Sequence, residues 1–348
     1  MISYKPKRIL SSKKISQLKT TESIENKIIH GDTLEVLKKI PDNSIRLIVT
    51  SPSYYLGKKY EIDQTFDDYL NDHKEIIKES SRVLTKDGSI FWNVAQSIID
   101  KEVIHLGSHF YHIFKDLDFY LRNWIIWKFE GGECPRTRLF GRYENILWMV
   151  KDINNYIFNV DDIRVPTKWI NDKRVRKDGK NPEDFWEFDM RKNLEKMNIL
   201  KSKVSKLKTL MSEETDQYVN QIHMDEIFRD LESSLDNLIS SDDQIINNNL
   251  DDNIWHINRV VNVSKSQKIK HPVTGDTHPC PFPEELITRI VKMSSDENDI
   301  VLDIFSGSGT VFKVSDILNR KWIGIEKEMA YCEISDYRFS CHKGETSQ

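Results

Sequence analysis

The chain has 348 residues, 38% of them hydrophobic and 30% charged. That is long enough to bury a substantial core without disulfide or metal staples, as one elaborated domain or two. No run approaches the ~18 consecutive apolar residues of a membrane helix, and the polar start MISYKPKRILSSKK lacks the apolar centre of a signal peptide. The four cysteines (Cys134, Cys280, Cys332, Cys341) form no CxxC pair, which excludes a zinc ribbon and argues against a disulfide framework. A cytoplasmic protein with no membrane association is expected. The net charge of −4 argues, at face value, against an anionic partner. It is strongly segregated, however. Residues 211–253 hold twelve carboxylates and one arginine, so the remaining 305 residues carry a net +7. Residues 164–180 alone carry seven basic and two acidic groups.

In chain order, residues 1–26 are polar and basic with little periodicity and read as a loose N-terminal arm. IIHGDTLEVLKKI predicts a short strand, a Gly-Asp turn and a helix with Leu34, Leu37 and Ile40 at helical spacing, ended by Pro41-Asp42-Asn43. The β-branched run IRLIVT (45–50) is a buried strand. Residues 66–86 form an amphipathic helix closed by Lys86-Asp87-Gly88, and GSIFWNV (88–94) is the next strand. FYLRNWIIWKF (119–129) and NILWMVK (145–151) flank a turn-rich segment and are suited to pair as a hairpin. Between about residues 152 and 270 the hydrophobic runs thin out, and 190–240 reads as one or two charged helices with solvated faces. After His278 come a helix (284–293), a strand (300–305), a glycine-rich turn, a helix and a strand (321–326). Strands and helices alternating at both ends imply one α/β sheet built from both termini, with the middle inserted on it.

DIVLDIFSGSGT (299–310) runs an apolar strand into Gly307-Ser308-Gly309 and a helix entry at Thr310. Such a turn lets a ligand approach the backbone, and a helix N-terminus favours negative charge. Glu326, at the tip of the next strand, is placed to accept hydrogen bonds from ribose hydroxyls. Phe312 stands where a dinucleotide fold needs its third glycine. That favours a nucleoside cofactor without pyrophosphate, and S-adenosylmethionine is the obvious candidate.

Ser51-Pro52-Ser53-Tyr54 follows the buried strand 45–50, at the edge where open α/β sheets bind ligands. An exocyclic amine on a nucleobase is a poor nucleophile, because its lone pair is delocalised into the ring. Two acceptors, the Ser51 hydroxyl and the Pro52 carbonyl, would bind its hydrogens and stabilise the positive charge that builds on nitrogen as it attacks a sulfonium methyl. Tyr54 can stack on the base. A plain proline–serine turn closing a strand is the alternative reading.

With these motifs in this order, the chain resembles the β-class DNA amino-methyltransferases of bacterial restriction–modification systems. That family carries a (D/N/S)-P-P-(Y/F/W) motif near the N-terminus, an FxGxG-type cofactor motif near the C-terminus and a target-recognition region between them. Secondary matches are residues 28–52, SRVLTKDGSIFWNV (81–94) and HPCPFPEELITRIV (278–291). The resemblance implies a Rossmann-like α/β methyltransferase sheet, circularly permuted. The implied divisions are an arm (1–26), a catalytic half (27–165), a target-recognition and helical insertion (166–254) and a cofactor-binding half (255–348). It implies Ser51, Pro52 and Tyr54 as catalytic residues, and Asp32, Asp303, Phe305, Gly307, Gly309, Thr310 and Glu326 as the S-adenosylmethionine site. One departure is Ser53, where the family usually has proline.

The Pro279-Cys280 dipeptide resembles a cytosine-C5 nucleophile but opens a cofactor-side helix beside a complete amino-methylation motif, so C5 chemistry is not expected. The ten histidines show no metal spacing. Candidate contacts to double-stranded DNA are Lys58, then Arg136, Arg138 and Arg142, then Lys173, Arg174 and Arg176 in the basic run. Serine as first motif residue leans toward cytosine N4, with adenine N6 open. A methyltransferase-like DNA-binding module without activity is a further alternative, with Ser53 as its sign. A companion restriction endonuclease is an expected functional partner. The acidic stretch 211–253 is expected to point away from DNA or to meet a protein partner.

Overall fold

Apolar runs from the two ends of the chain meet in one sheet. The computed structural model describes residues 6–56, 64–129, 135–139, 141–165, 179–186, 274–275 and 281–343. By internal contacts the chain divides into two units. One comprises Met1–Asp162, Asp184–Trp186 and Ile257–Gln348, the other Ile163–Glu183 and Glu187–His256.

The first unit contains strands β1 (Ile9–Ser11), β2 (Lys27–His30), β3 (Ile45–Thr50), β4 (Leu84–Val94), β5 (Gln96–Ile99), β6 (Glu102–His105), β7 (Tyr120–Lys128), β8 (Tyr143–Val150), β9 (Phe185–Trp186), β10 (Ile300–Asp303) and β11 (Lys321–Glu326). Among the described residues its helices are α1 (Thr33–Leu37), α2 (Phe66–Val83), α3 (Leu106–Asp116), α4 (Glu284–Ser294), α5 (Thr310–Ile317) and α6 (Met329–His342). Among the described residues nine strands form a sheet in the order β1-β2-β11-β10-β3-β4-β8-β7-β9, while β5 and β6 pair as a separate hairpin. Strands β1 through β4 in that order are parallel; β8 runs antiparallel to both β4 and β7. The C-terminal strands β10 and β11 thus lie between β2 and β3. From β3 the chain crosses by α2 to β4 on one side, and from β10 by α5 to β11 on the other. The β3–β10 boundary is therefore a switch point, where open sheets form a ligand crevice.

Residue chemistry explains these elements. Ile45, Leu47, Ile48 and Val49 of β3 are all buried, as expected for a parallel strand covered on both faces. Helix α2 opens with a capping box: Thr65 Oγ1 accepts from the Asp68 amide at 3.1 Å, and the Asp68 carboxylate accepts from the Thr65 amide at 3.3 Å. It buries Tyr69, His73, Ile76, Ile77, Ser80 and Val83, one stripe of its surface. Phe312 stacks on Trp322 with centroids 4.6 Å apart. A Cβ on Gly309 or Gly324 would meet the Phe312 ring at 2.3 or 2.8 Å. Those two glycines make room for the ring that replaces the third glycine.

Three expectations need correction. The N-terminal arm is not loose throughout, since β1 extends the sheet beside β2. The Asp336 carboxylate accepts from the Lys7 and Arg8 amides at 2.9 and 3.1 Å and pairs with the Arg8 guanidinium. Lys86-Asp87-Gly88 does not close the preceding helix. Helix α2 ends at Val83, and those residues lie inside β4, where Arg46 pairs with Asp87 across the β3–β4 ladder. Helix α1 stops at Leu37, short of Ile40. The β5–β6 hairpin, α3 and α6 carry no clear signal in the sequence, whereas the expected β7–β8 hairpin is present.

Among the described residues of the second unit, Val165 and Lys180 form an antiparallel bridge. The buried Arg164 donates to the Asn181 side chain at 3.1 Å.

Candidate active site

The carboxyl ends of β2, β11, β10 and β3 bring four loops to one edge of the sheet. Because β7 runs antiparallel to β8 and β8 antiparallel to β4, the β7–β8 loop lies on that edge too.

The β10 tip carries the acid–glycine loop. Asp303 is 2% exposed and accepts from Thr50 Oγ1 at 2.9 Å and from the Phe305 amide at 3.2 Å. Burial pushes its carboxyl up to about 7, against the pull of those two donors; the Glu326 carboxylate adds to the rise. Gly307 and Gly309 take positive φ values of 48° and 77°. Phe305 is half-buried, its ring 5.9 Å from the His73 ring and 6.3 Å from Trp92. His73 is lowered to about 4 by burial, which outweighs its bond to the Tyr69 carbonyl, so it lines this wall as a neutral imidazole.

Glu326 accepts from the Gly307 amide at 2.8 Å and from the Glu328 amide at 2.9 Å. Burial raises it overall, despite those backbone donors. Each carboxylate oxygen keeps a second lone pair for a ligand hydroxyl. The Gly31 amide donates to the Glu326 carbonyl at 3.0 Å, which sets the β2 turn against the β11 tip. In that turn Asp32 is exposed and caps α1, accepting from the Glu35 amide at 3.1 Å. The Thr33 hydroxyl donates to the Ile304 carbonyl at 2.8 Å and ties the turn to the acid–glycine loop.

Thr310 departs from its expected role. Its hydroxyl is buried, donating to the Phe282 carbonyl at 3.2 Å and accepting from Arg338 at 2.8 Å. Arg338 also pairs with Glu284 at 2.6 Å, and Lys313 joins at 2.8 Å. Burial works to raise Glu284, but Arg338 and Lys313 outweigh it and hold the carboxyl below its ordinary value. Thr310 therefore anchors the glycine loop from beneath.

At the β3 tip, Ser51 Oγ lies 2.7 Å from Tyr54 Oη. The Tyr54 hydroxyl donates to Glu144 at 2.8 Å and accepts from Asn93 Nδ2 at 2.8 Å, and Asn93 also donates to Glu144 at 2.6 Å. Asn93 and Glu144 are buried, and sequence reasoning missed both; the signals were one polar residue in the run IFWNV and a Glu-Asn pair opening the apolar run ILWMV. The Ser53 carbonyl accepts from Tyr69 Oη at 2.6 Å and the Tyr55 carbonyl from Ser97 at 2.7 Å. Tyr55 has a φ of 51°, a strained conformation of the kind that collects at functional loops. Ser53 thus sits in a loop pinned by neighbours rather than by a second proline. Arg136, Arg138 and Arg142 are exposed on the β7–β8 loop, with Leu139 at its tip 94% exposed. Lys58, Lys173, Arg174 and Arg176 lie outside the described residues.

The donor and acceptor set fits S-adenosylmethionine. Glu326 offers acceptors of the kind sugar hydroxyls need, Asp32 lies exposed in the adjoining β2 turn, Phe305 offers an apolar wall, and the Asp303 carboxyl lies at the tip of β10. A mostly parallel sheet switching direction beside an acid–glycine loop, with a Ser-Pro motif on the adjacent strand tip, defines an S-adenosylmethionine-dependent methyltransferase.

Residues 45–336 match the DNA methylase family of N6 and N4 methyltransferases, and the chain belongs to that family. It is a β-class amino-methyltransferase. It is similar to the type II methyltransferase M.BglII of Bacillus subtilis, 32% identical over 322 residues, which are 89% of this chain and 68% of that one. Its fold is similar to that of the PvuII cytosine-N4-specific DNA methyltransferase (TM-score 0.55, 18% identity, covering 90% of this chain and 86% of that one). It is also similar to a putative DNA modification methylase of Thermus thermophilus solved with S-adenosylmethionine (TM-score 0.50, 20% identity, covering 90% and 93%).

Proposed function

We propose that this methyltransferase moves a methyl group to the N4 amine of cytosine at a specific double-stranded DNA site, as the modifying member of a cytoplasmic restriction–modification pair. We read the position of β10 and β11 between β2 and β3 as a circular permutation of the methyltransferase sheet.

The observation that carries the reading is Ser51-Pro52, at the tip of β3, beside the Asp303–Gly309 loop at the tip of the neighbouring β10. S-adenosylmethionine, when bound, supplies an electrophilic sulfonium methyl. The chain's own residues act on the amine. Ser51 Oγ and the Pro52 carbonyl accept its hydrogens, which orients its lone pair and stabilises the charge that develops on nitrogen. Tyr54 offers a ring for the base to stack on. The target base has to leave the duplex, because its amine is shielded within the stack. Arg136, Arg138 and Arg142 serve the phosphates around it, with Lys58, Lys173, Arg174 and Arg176 as further contacts.

Serine as the first motif residue favours cytosine N4. Adenine N6 is the second reading, because the family includes both chemistries. The loop held by Tyr69 and Ser97 supports an active enzyme over an inactive binding module. Modified-base sequencing of DNA from cells expressing the chain tests the base and the site together. N4-methylcytosine at one recurring sequence is expected; N6-methyladenine replaces the first reading by the second, and unmodified DNA overturns both.

A further inference from the structure

We propose that Glu144 is a positioning residue that sets the direction of the hydrogen-bond chain through Tyr54, and thereby makes Ser51 an acceptor. The proposal rests on the reading of Ser51 as the group that binds the substrate amine. A hydroxyl has one hydrogen and can either give or take, yet only a taking Ser51 is useful to an amine whose hydrogens point at it.

The geometry decides which. Glu144 Oε2 accepts from Tyr54 Oη at 2.8 Å, and the same oxygen accepts from Asn93 Nδ2. The single phenolic hydrogen is therefore directed to Glu144. Asn93 Nδ2 donates to both Glu144 and Tyr54 Oη, at 2.6 and 2.8 Å, which reinforces that direction. Tyr54 Oη has no hydrogen left for Ser51, so across the 2.7 Å contact Ser51 gives its own hydrogen to Tyr54. The Ser51 lone pairs are left for the amine. Burial of Glu144 (4% exposed) and Asn93 (2%) removes competing solvent and holds the polarity. With no acceptor at position 144, the Tyr54 hydrogen is no longer drawn to Glu144, and Ser51 Oγ at 2.7 Å is an acceptor within its reach. The Ser51 hydrogen then faces the amine, donor against donor.

Three variants separate direction from charge and from packing. In steady-state methylation of duplex DNA, Glu144→Met, which keeps volume but not acceptance, is expected to lower kcat by about tenfold or more. Its cofactor affinity should stay near wild type, while its thermal unfolding midpoint should fall modestly because buried Asn93 loses an acceptor. Glu144→Gln, whose amide oxygen still accepts from Tyr54 and Asn93, is expected to stay within about threefold of wild type. Adding Tyr54→Phe to Glu144→Met is expected to restore part of the lost kcat, because the misdirected hydrogen is gone. A merely structural role for Glu144 predicts further loss instead. The proposal is overturned if Glu144→Gln is as impaired as Glu144→Met, or if the double variant is no better than Glu144→Met alone. Should Glu144→Met unfold, Glu144→Gln decides: a loss beyond tenfold overturns the proposal. If Ser51→Ala leaves activity unchanged, it is the underlying role of Ser51 that fails.

Discussion

Ser51 and Asp303 sit on adjacent strand tips but do different work, and each carries its own test. Under the proposed function, removing the Ser51 hydroxyl deletes an acceptor needed as charge builds on the amine. Ser51→Ala should therefore lower kcat by about 10²-fold while leaving cofactor affinity unchanged, as measured by single-turnover methylation and calorimetry. Asp303 is pushed up to about 7 by burial, far above the ordinary carboxylate value of about 4. Between pH about 4 and 7 the folded chain holds a proton that the unfolded chain has released, so this group's contribution to stability declines as pH rises through that window. A cation bound at the β10 tip favours the ionised form. Affinity for S-adenosylmethionine should accordingly rise with pH through about 7, and Asp303→Asn should flatten that dependence in a titration series from pH 6 to 8. His73 works the other way. Held at about 4, it stays neutral in the fold while the unfolded chain protonates below about 6.5, so its contribution is complete above that pH and is lost as pH falls toward 4. The local motifs were legible because their chemistry is contiguous: Ser51 to Tyr54, and Asp303 to Gly309. Glu144 was not, because it reaches Tyr54 only through the β4–β8 pairing, 90 residues further along the chain.

The elements show how packing decides what a motif letter means. Phe312 read as a missing glycine, and so it narrowed the cofactor; in the fold it is a core ring stacked on Trp322, with Gly309 and Gly324 clearing its edges. Gly309→Ala should destabilise the chain by about 1–3 kcal/mol, since the new Cβ meets Phe312 at 2.3 Å and the backbone already sits at a φ of 77°. Thermal unfolding reads this directly, and an unchanged midpoint would refute it. Thr310 looked like a ligand at a helix entry, yet Arg338, far along in α6, takes its hydroxyl. The sequence period of α2 was clear, but its end was not. Lys86-Asp87-Gly88 has the composition of a stop, and it falls within β4 at the irregularity between Leu84 and Ser89, the residues that pair with Ile45 and Leu47 of β3. Edge strand β1 was hidden for a related reason: three residues carry no readable alternation, and they are held by pairing with β2 and by Asp336.

For the whole molecule, the net charge of −4 is the sum of a basic body and an acidic stretch at 211–253. Deleting 211–250 should leave affinity for duplex DNA equal or higher in a binding titration, and a large loss would show that the stretch serves DNA. The arginine loop between β7 and β8 lies on the same sheet edge as Ser51 and the acid–glycine loop. Arg136→Ala with Arg138→Ala should weaken duplex binding and reduce the slope of log affinity against log salt by about 2. This edge is proposed to methylate an exocyclic amine of DNA. That activity is tested most directly by incubating the purified chain with methyl-labelled S-adenosylmethionine and DNA of diverse sequence, then identifying the labelled nucleoside. Label on an exocyclic amine, N4 of cytosine first, and its loss in Ser51→Ala are the predicted result; label at cytosine C5, or no transfer to any DNA, would contradict it.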